Sequence, residues 1–323
     1  MARSVTASAP AKIILFGEHF VVKGVLGVVA AIDLRARVRV YEDRGDSITV
    51  YSRGIGGKYR IILNNLSGAP KPVAPFARIL GWLKERGYTL YPAIVEVNSE
   101  IPVKAGLGSS AATAAAFALS YTTLHGDSLD SRGLVDATME AEIEAHGRPS
   151  GIDPNIVVHG GILAYRPGSE PISISSRLDR EEYKLVVADS GLKRDTKLAV
   201  ESVLRLASRY SSVLDHVYRA AEELSKLAVI ALEKGDASTL GELMNINHGL
   251  LSAIGVSTRE LEELVYRARK AGALGSKITG AGMGGSIIAL CYKSNVRSII
   301  RELAPSASWA SSVGFEYNGV LIE

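Results

Sequence analysis

The chain has 323 residues, enough for one large domain or two ordinary ones, and its 47% hydrophobic and 22% charged residues exclude disordered, collagen-like and coiled-coil classes. A net charge of +3 without any block of like charge argues against nucleic-acid or membrane partners. The lone cysteine, Cys291, allows neither an internal disulfide nor a CxxC zinc cluster, so a reducing, cytoplasmic setting is expected.

The opening reads as strands. Val5 to Phe16, Val28 to Tyr41, Ser47 to Tyr51 and Tyr59 to Leu63 are rich in β-branched and aliphatic residues, with a polar turn at 43–46. Lys12, Glu18, His19 and Lys23 interrupt the first apolar run, so no signal peptide is expected. Phe76, Ile79, Leu80 and Leu83 recur at helical spacing after Pro75 and before Gly87. A strand from Tyr91 to Ile101 follows. Ala105 to Leu124 carries no charge and has the nominal length of a membrane span, but six of its residues are serine or threonine. That composition disfavours insertion and predicts a small-residue helix from about Ser109 to His125, packed inside the protein. A second helix, Ser131 to Ala145, runs into a Gly-Arg-Pro-Ser-Gly loop.

The Pro-, Gly- and Ser-bearing stretch from Arg166 to Glu182 is the expected linker, with a domain boundary near residue 178. Beyond it the pattern predicts a strand at Tyr183–Ala188 and helices at Thr196–Ala207, Val213–Lys234, Leu240–Ile254 and Thr258–Ala271. A strand, Gly-rich turn and strand between Ser276 and Tyr292, a helix at Val296–Leu303 and a terminal strand pair complete the chain. The class is α+β in two lobes.

Four segments carry chemistry. Ile101-Pro-Val-Lys-Ala-Gly-Leu-Gly-Ser-Ser-Ala-Ala112 is a Gly-rich loop between a strand and a helix, where free backbone N–H groups and the helix dipole suit a phosphate. It lacks the Gly-Lys-Ser/Thr ending of a Walker A loop. Gly106, Gly108 and Ala111 mimic a dinucleotide fingerprint, but the acidic residues that follow, Asp127 and Asp130, fall between two helices rather than at a strand end. No Val-Ala-Ile-Lys strand of a protein kinase follows either. On this loop alone, a phosphate cradle and a plain helix-capping turn both remain open. The second segment, Ala9-Pro-Ala-Lys-Ile-Ile-Leu-Phe-Gly-Glu-His19, places Lys12 in an apolar strand and delivers Glu18 and His19 to a turn. In the third, Glu142-Ile-Glu-Ala-His-Gly-Arg-Pro-Ser-Gly-Ile-Asp153, a carboxylate-bearing helix runs into a tight loop. Glu142 and Asp153 share a role only if that loop folds back; otherwise Asp153 reads as a helix N-cap. The fourth, Lys277-Ile-Thr-Gly-Ala-Gly-Met-Gly-Gly-Ser286, reads as a tight hairpin.

In order and spacing these four segments resemble the motifs of the GHMP kinases, the family named for galactokinase, homoserine kinase, mevalonate kinase and phosphomevalonate kinase. Ala-Pro-Ala-Lys12 with Gly-Glu-His19, His-Gly-Arg-Pro-Ser-Gly-Ile-Asp153, and Asn247-His248 through Gly255-Val256 are similar to the mevalonate kinase branch most of all. The resemblance implies a two-lobed fold, with an N-terminal α/β lobe like a domain of a small ribosomal-subunit protein and a ferredoxin-like C-terminal lobe. It implies ATP-dependent phosphorylation of the terminal hydroxyl of (R)-mevalonate in isoprenoid synthesis. Carried over residue by residue, Asp153 is the base and Lys12 the cation beside it. Lys104, Ala105, Gly106, Leu107, Gly108, Ser109, Ser110, Ala111 and Ala112 cradle ATP, and Ser110 and Glu142 ligate Mg²⁺. Glu18 and His19 lie in the part that contacts substrate, and a homodimer is left open. Two residues depart from the family pattern: Lys104 and Met283 stand where small residues, often glycine, are usual. Another small-alcohol kinase of the family, such as phosphomevalonate kinase, is the alternative, and a non-catalytic ligand sensor a more distant one.

Overall fold

The computed structural model describes residues 3–54, 56–103, 105–147, 150–193 and 196–323. Chain order is β1 (Ser4–Phe16), β2 (Gly27–Glu42), β3 (Ser47–Ser52), β4 (Gly57–Ile62), α1 (Ala74–Glu85), β5 (Ala93–Ser99), α2 (Ser109–Leu124), α3 (Ser131–His146), α4 (Ile152–His159), β6 (Ile162–Tyr165) and β7 (Ile172–Ser173). Then come β8 (Tyr183–Asp189), α5 (Thr196–Arg209), α6 (Ser211–Lys234), α7 (Ala237–Ala253), α8 (Arg259–Lys270), β9 (Gly275–Thr279), β10 (Ser286–Tyr292), α9 (Val296–Leu303), β11 (Trp309–Val313) and β12 (Leu321–Ile322).

The first sheet runs β12-β1-β2-β5-β3-β4, with β6 on β2 and β7 on β6. Long β2 is its spine: residues 36–42 pair with β5, residues 27–30 with β6, and nearly its whole length with β1. The uncharged α2 lies on β1 and β2. Alanines at 7, 9 and 11 in β1 and at 111, 112, 114, 115 and 118 in α2 are all buried, and side chains this small let helix and sheet approach closely. Among the described residues no helix is long and apolar enough to cross a membrane. The register of β1 on β2 shifts between Pro10 and Ala11, one residue before Lys12, and such a bulge re-aims the side chains beyond it.

The second sheet, β11-β8-β10-β9, is antiparallel and has the β-α-β-β-α-β order of a ferredoxin-like lobe. Core residues lie on both its faces. Leu185, Val187, Ile288 and Leu290 join the large core shared with the first sheet, while Val186, Ala188, Ile287, Ala289 and Cys291 join a second core with α8 and α9.

The last two strands, expected to pair with each other, do not. β11 pairs with β8 in the second sheet and β12 with β1 in the first. Between them the tail is held by Arg35, a buried guanidinium that donates to the Gly319 carbonyl at 2.7 Å, to the Ser8 carbonyl at 3.0 Å and pairs with Glu316 at 3.3 Å. A buried charge is tolerated only when paired and hydrogen-bonded, and the C-terminal tail supplies much of that here. The loop after α3 is followed by the short helix α4, whose N-cap is Gly151 and not Asp153.

Candidate active site

The glycine loop ends at Gly108, which caps α2 at φ +75°. The first bond of that helix runs from the Ala112 N–H to the Gly108 carbonyl, at 3.0 Å. The N–H groups of Ser109, Ser110 and Ala111 therefore have no acceptor within the helix, and no side chain among the described residues caps them. These donors, at the positive end of α2, form a ready anion site. The loop is seated directly on Lys12: its main-chain N–H donates to the Leu107 carbonyl at 2.9 Å, and a Cβ placed on Gly108 would stand 2.7 Å from Lys12 Cγ. A glycine is needed at 108 both for its backbone conformation and for that close approach.

Lys12 is in mid-strand and nearly buried, with 8% of its side chain exposed. Its Nζ lies 3.0 Å from Asp153 Oδ1, and Asp153 is 26% exposed. Asp153 is thus brought back against β1. Gly151, in the left-handed region, caps α4, and Asp153 lies in that helix's first turn rather than at its cap. Tyr165 on β6 donates to the Ser150 carbonyl, and Asn155 Nδ2 donates to the Gly151 carbonyl at 2.8 Å, which fixes the turn that aims Asp153. α4 packs on β1, α2 and α3, so the lysine, the loop and the aspartate are neighbours although 141 residues separate Lys12 from Asp153.

Glu142 projects from α3 into the interior, 4% exposed, and α3 packs against α2, the helix that carries Ser110. His19 follows the end of β1 at φ +61° and is 7% exposed. Its Nε2 sits 2.7 Å from the Ala281 carbonyl. A carbonyl only accepts, so Nε2 carries the hydrogen; burial lowers this imidazole's pKa, and the neutral ring keeps Nδ1 as a lone-pair acceptor. That Nδ1 is buried and has no partner among the described residues. Glu18 is wholly enclosed: its carboxylate takes hydrogen bonds from Lys277 and, at 3.3 Å, from Asn247 Nδ2.

Comparison with known proteins follows this geometry. The GHMP kinases N terminal domain matches residues 76–161 and the GHMP kinases C terminal domain residues 228–307. A mevalonate kinase of Aeropyrum pernix is 44% identical, over 100% of this chain and 99% of its own. The chain belongs to the GHMP kinase family. Within it the likeness is to mevalonate kinases, another being that of Pyrococcus horikoshii, 38% identical over 90% of this chain and 89% of its own. The crystal structure of L. major mevalonate kinase in complex with R-mevalonate superposes with a TM-score of 0.86 at 27% identity, over 99% of this chain and 100% of that one.

Members of this family are ATP-dependent kinases, and several features of this GHMP kinase were not assigned from its sequence. Lys277 was quoted only as the start of a hairpin motif, yet it is fully buried and grips Glu18, 259 residues away in sequence. Burial pulls its ammonium pKa down, and Glu18 opposes that. The strand around it, Gly-Ser-Lys-Ile-Thr, is not an apolar run like the one around Lys12, so nothing local marks this lysine as buried. Ser286, at the other end of the hairpin, donates to the Ala105 carbonyl of the phosphate loop at 2.9 Å, so the C-terminal lobe buttresses the cradle. Met283, the departure from glycine, keeps glycine's backbone: its φ is +54° and its N–H donates to the Val256 carbonyl at 2.7 Å. A non-glycine residue in that region costs about 1–3 kcal/mol, here offset by the surrounding packing. Lys104 lies outside the described residues.

Proposed function

We propose that this chain transfers the γ-phosphoryl group of ATP to the terminal hydroxyl of (R)-mevalonate, giving 5-phosphomevalonate for isoprenoid synthesis. The observation that carries the reading is the Lys12–Asp153 contact of 3.0 Å set directly against Gly108 of the phosphate loop. Phosphoryl transfer asks a protein mainly for positioning and charge neutralisation. The backbone donors of the loop up to Ala111 hold the phosphates of ATP, which supplies the group transferred. Lys12 lies between the cradle and Asp153, where it pairs with the carboxylate and balances charge on the phosphoryl oxygens. Asp153, partly open where Lys12 is closed, accepts the hydroxyl proton. His19 offers Nδ1 to a donor on the substrate.

Glu142 and the Ser110 hydroxyl are hard oxygen donors on two packed helices, and they fit Mg²⁺, which is held by few protein ligands plus substrate phosphates. No cluster of three His, Cys, Asp or Glu exists among the described residues, in keeping with such a sparse set. Bound there, Mg²⁺ would neutralise phosphate charge. Glu18, enclosed by Lys277 and Asn247, supports the His19 turn from behind instead of touching substrate. We place the lobe boundary near residue 178, between β7 and β8, and the enzyme in the cytoplasm, where the buried thiol of Cys291 stays reduced. All the proposed site residues come from one chain, so the reading is the same for a monomer or a homodimer.

The test is ADP release with Mg-ATP and, in turn, mevalonate, phosphomevalonate, galactose and homoserine. Clear preference for mevalonate is expected; equal or faster turnover of any other would overturn the assignment.

A further inference from the structure

Glu18 and Lys277 form an ion pair in which neither side chain is exposed at all. Such a pair is a poor source of stability, because desolvating two charges offsets most of their attraction, and an apolar pair of similar volume often does as well or better. What an apolar pair cannot supply is direction. Here the directions are over-determined. One Glu18 oxygen takes Lys277 from β9, the other takes Asn247 from α7, and Lys277 also donates to the Ile278 carbonyl at 2.6 Å.

Both ends of the tie carry parts of the site. Glu18 immediately precedes His19, whose φ of +61° is uncommon for a residue with a side chain and persists only where its surroundings hold it. Lys277 stands three residues before the glycine turn whose Ala281 carbonyl receives His19 Nε2 at 2.7 Å. Next to the pair, Thr279 Oγ1 accepts from the Ile14 N–H at 2.9 Å and donates to the Ile14 carbonyl at 3.1 Å, so β1 and β9 are already docked without it. The docking of the two lobes and the setting of the His19 turn are thus served by different contacts.

We propose that Glu18 and Lys277 are a positioning pair that sets the His19 turn against the 280–285 hairpin and so fixes where His19 Nδ1 meets the alcohol substrate. This rests on the reading of His19 as a substrate contact. The pair acts through His19 and leaves the phosphate cradle alone, so its loss weakens binding of the alcohol and not of ATP. Misplacement of a contact by about 1 Å can cost on the order of 10²-fold.

The experiment compares wild type with the double variant Glu18→Leu/Lys277→Met, which replaces the pair by apolar groups, by thermal unfolding and by steady-state kinetics with each substrate varied. The double variant should unfold at or above the wild-type temperature, show a KM for mevalonate raised roughly 10- to 100-fold, and keep its KM for ATP within about twofold. In a His19→Ala background the same double change should add little, because neighbours acting as a unit are not additive. A wild-type mevalonate KM in a stable double variant, or a loss that multiplies in full with that of His19→Ala, would overturn the proposal. Should the double variant not fold, Glu18→Asp keeps the charge and shortens its reach by one methylene; a raised mevalonate KM at unchanged ATP KM supports positioning, and both unchanged overturns it. If wild type prefers a different alcohol, the same comparison is run with that alcohol, so the substrate assignment and the positioning role fail separately.

Discussion

Substituting Gly108 by alanine perturbs the site at its tightest point. The new methyl carbon would sit 2.7 Å from Lys12 Cγ and 3.3 Å from Cε, where carbon atoms prefer about 3.5–4.0 Å. The lysine stem must therefore retreat by about 1 Å. Cγ lies too near the backbone to swing aside freely, and that backbone is fixed by the Lys12 N–H to Leu107 bond and by register with Ala31. The displacement is passed outward to Nζ, stretching the 3.0 Å contact with Asp153 to the edge of ion pairing. A shift of this size predicts a fall in kcat of roughly 10²-fold. Separately, holding alanine at φ +75° costs about 1–2 kcal/mol of stability. Gly126 provides the control: it has φ +84°, but nothing lies within 4 Å of its added Cβ. Gly126→Ala should show the same loss of stability with unchanged kcat. Coupled ADP-release kinetics and thermal unfolding on both variants separate strain from displacement. A Gly108→Ala enzyme that loses stability but keeps kcat within about threefold, well short of the 10²-fold expected of misplacement, would refute the argument that the position of Lys12 governs transfer.

Further outcomes follow from the same geometry. Glu142→Gln removes the charge of a buried carboxylate while keeping its shape, and should raise the Mg²⁺ concentration needed for half-maximal rate with the fold intact; an unchanged magnesium dependence would remove Glu142 from the metal site. Burial lowers the pKa of His19, His125 and His248 below 6.5, so as pH falls through about 6.5 the unfolded chain takes up protons that the folded one refuses. Thermal stability should therefore be level above that pH and decline below it until the folded imidazoles also protonate. A melting temperature unchanged from about pH 7 to about pH 5 would contradict the assignment of neutral buried histidines.

Elements with strong periodicity were legible almost to the residue. The helix at Val296–Leu303 has the expected bounds, and α2 begins at Ser109 because its glycine-rich entry and uncharged run leave little else for that segment to form. The tail was not legible, since the partners of β11 and β12 are the distant strands β8 and β1, in different sheets. Of the site, Lys12 stood out as a charge in an apolar strand, but nothing local says that its partner is Asp153, because the contact depends on how α4 packs on β1. Lys277 carries no such signal, since its strand is Gly-Ser-Lys-Ile-Thr and the glycines that follow suffice to explain a hairpin. Glu18 shows the converse. Its motif marked it as important, but whether a carboxylate faces a substrate or a buried lysine is decided by a strand that comes 257 residues later.

The central claim is that Asp153 takes the proton from the accepting hydroxyl while Lys12 holds it in place. The most direct measurement is kcat for Asp153→Asn, which keeps size and hydrogen bonding but removes the basic oxygen, alone and combined with Lys12→Met. A fall of roughly 10²–10⁴-fold is predicted for Asp153→Asn, with ATP affinity little changed, and a double variant much less impaired than the product of the two single losses. Near wild-type kcat in Asp153→Asn would contradict the account and leave phosphoryl transfer to Lys12 and the phosphate cradle without a carboxylate base.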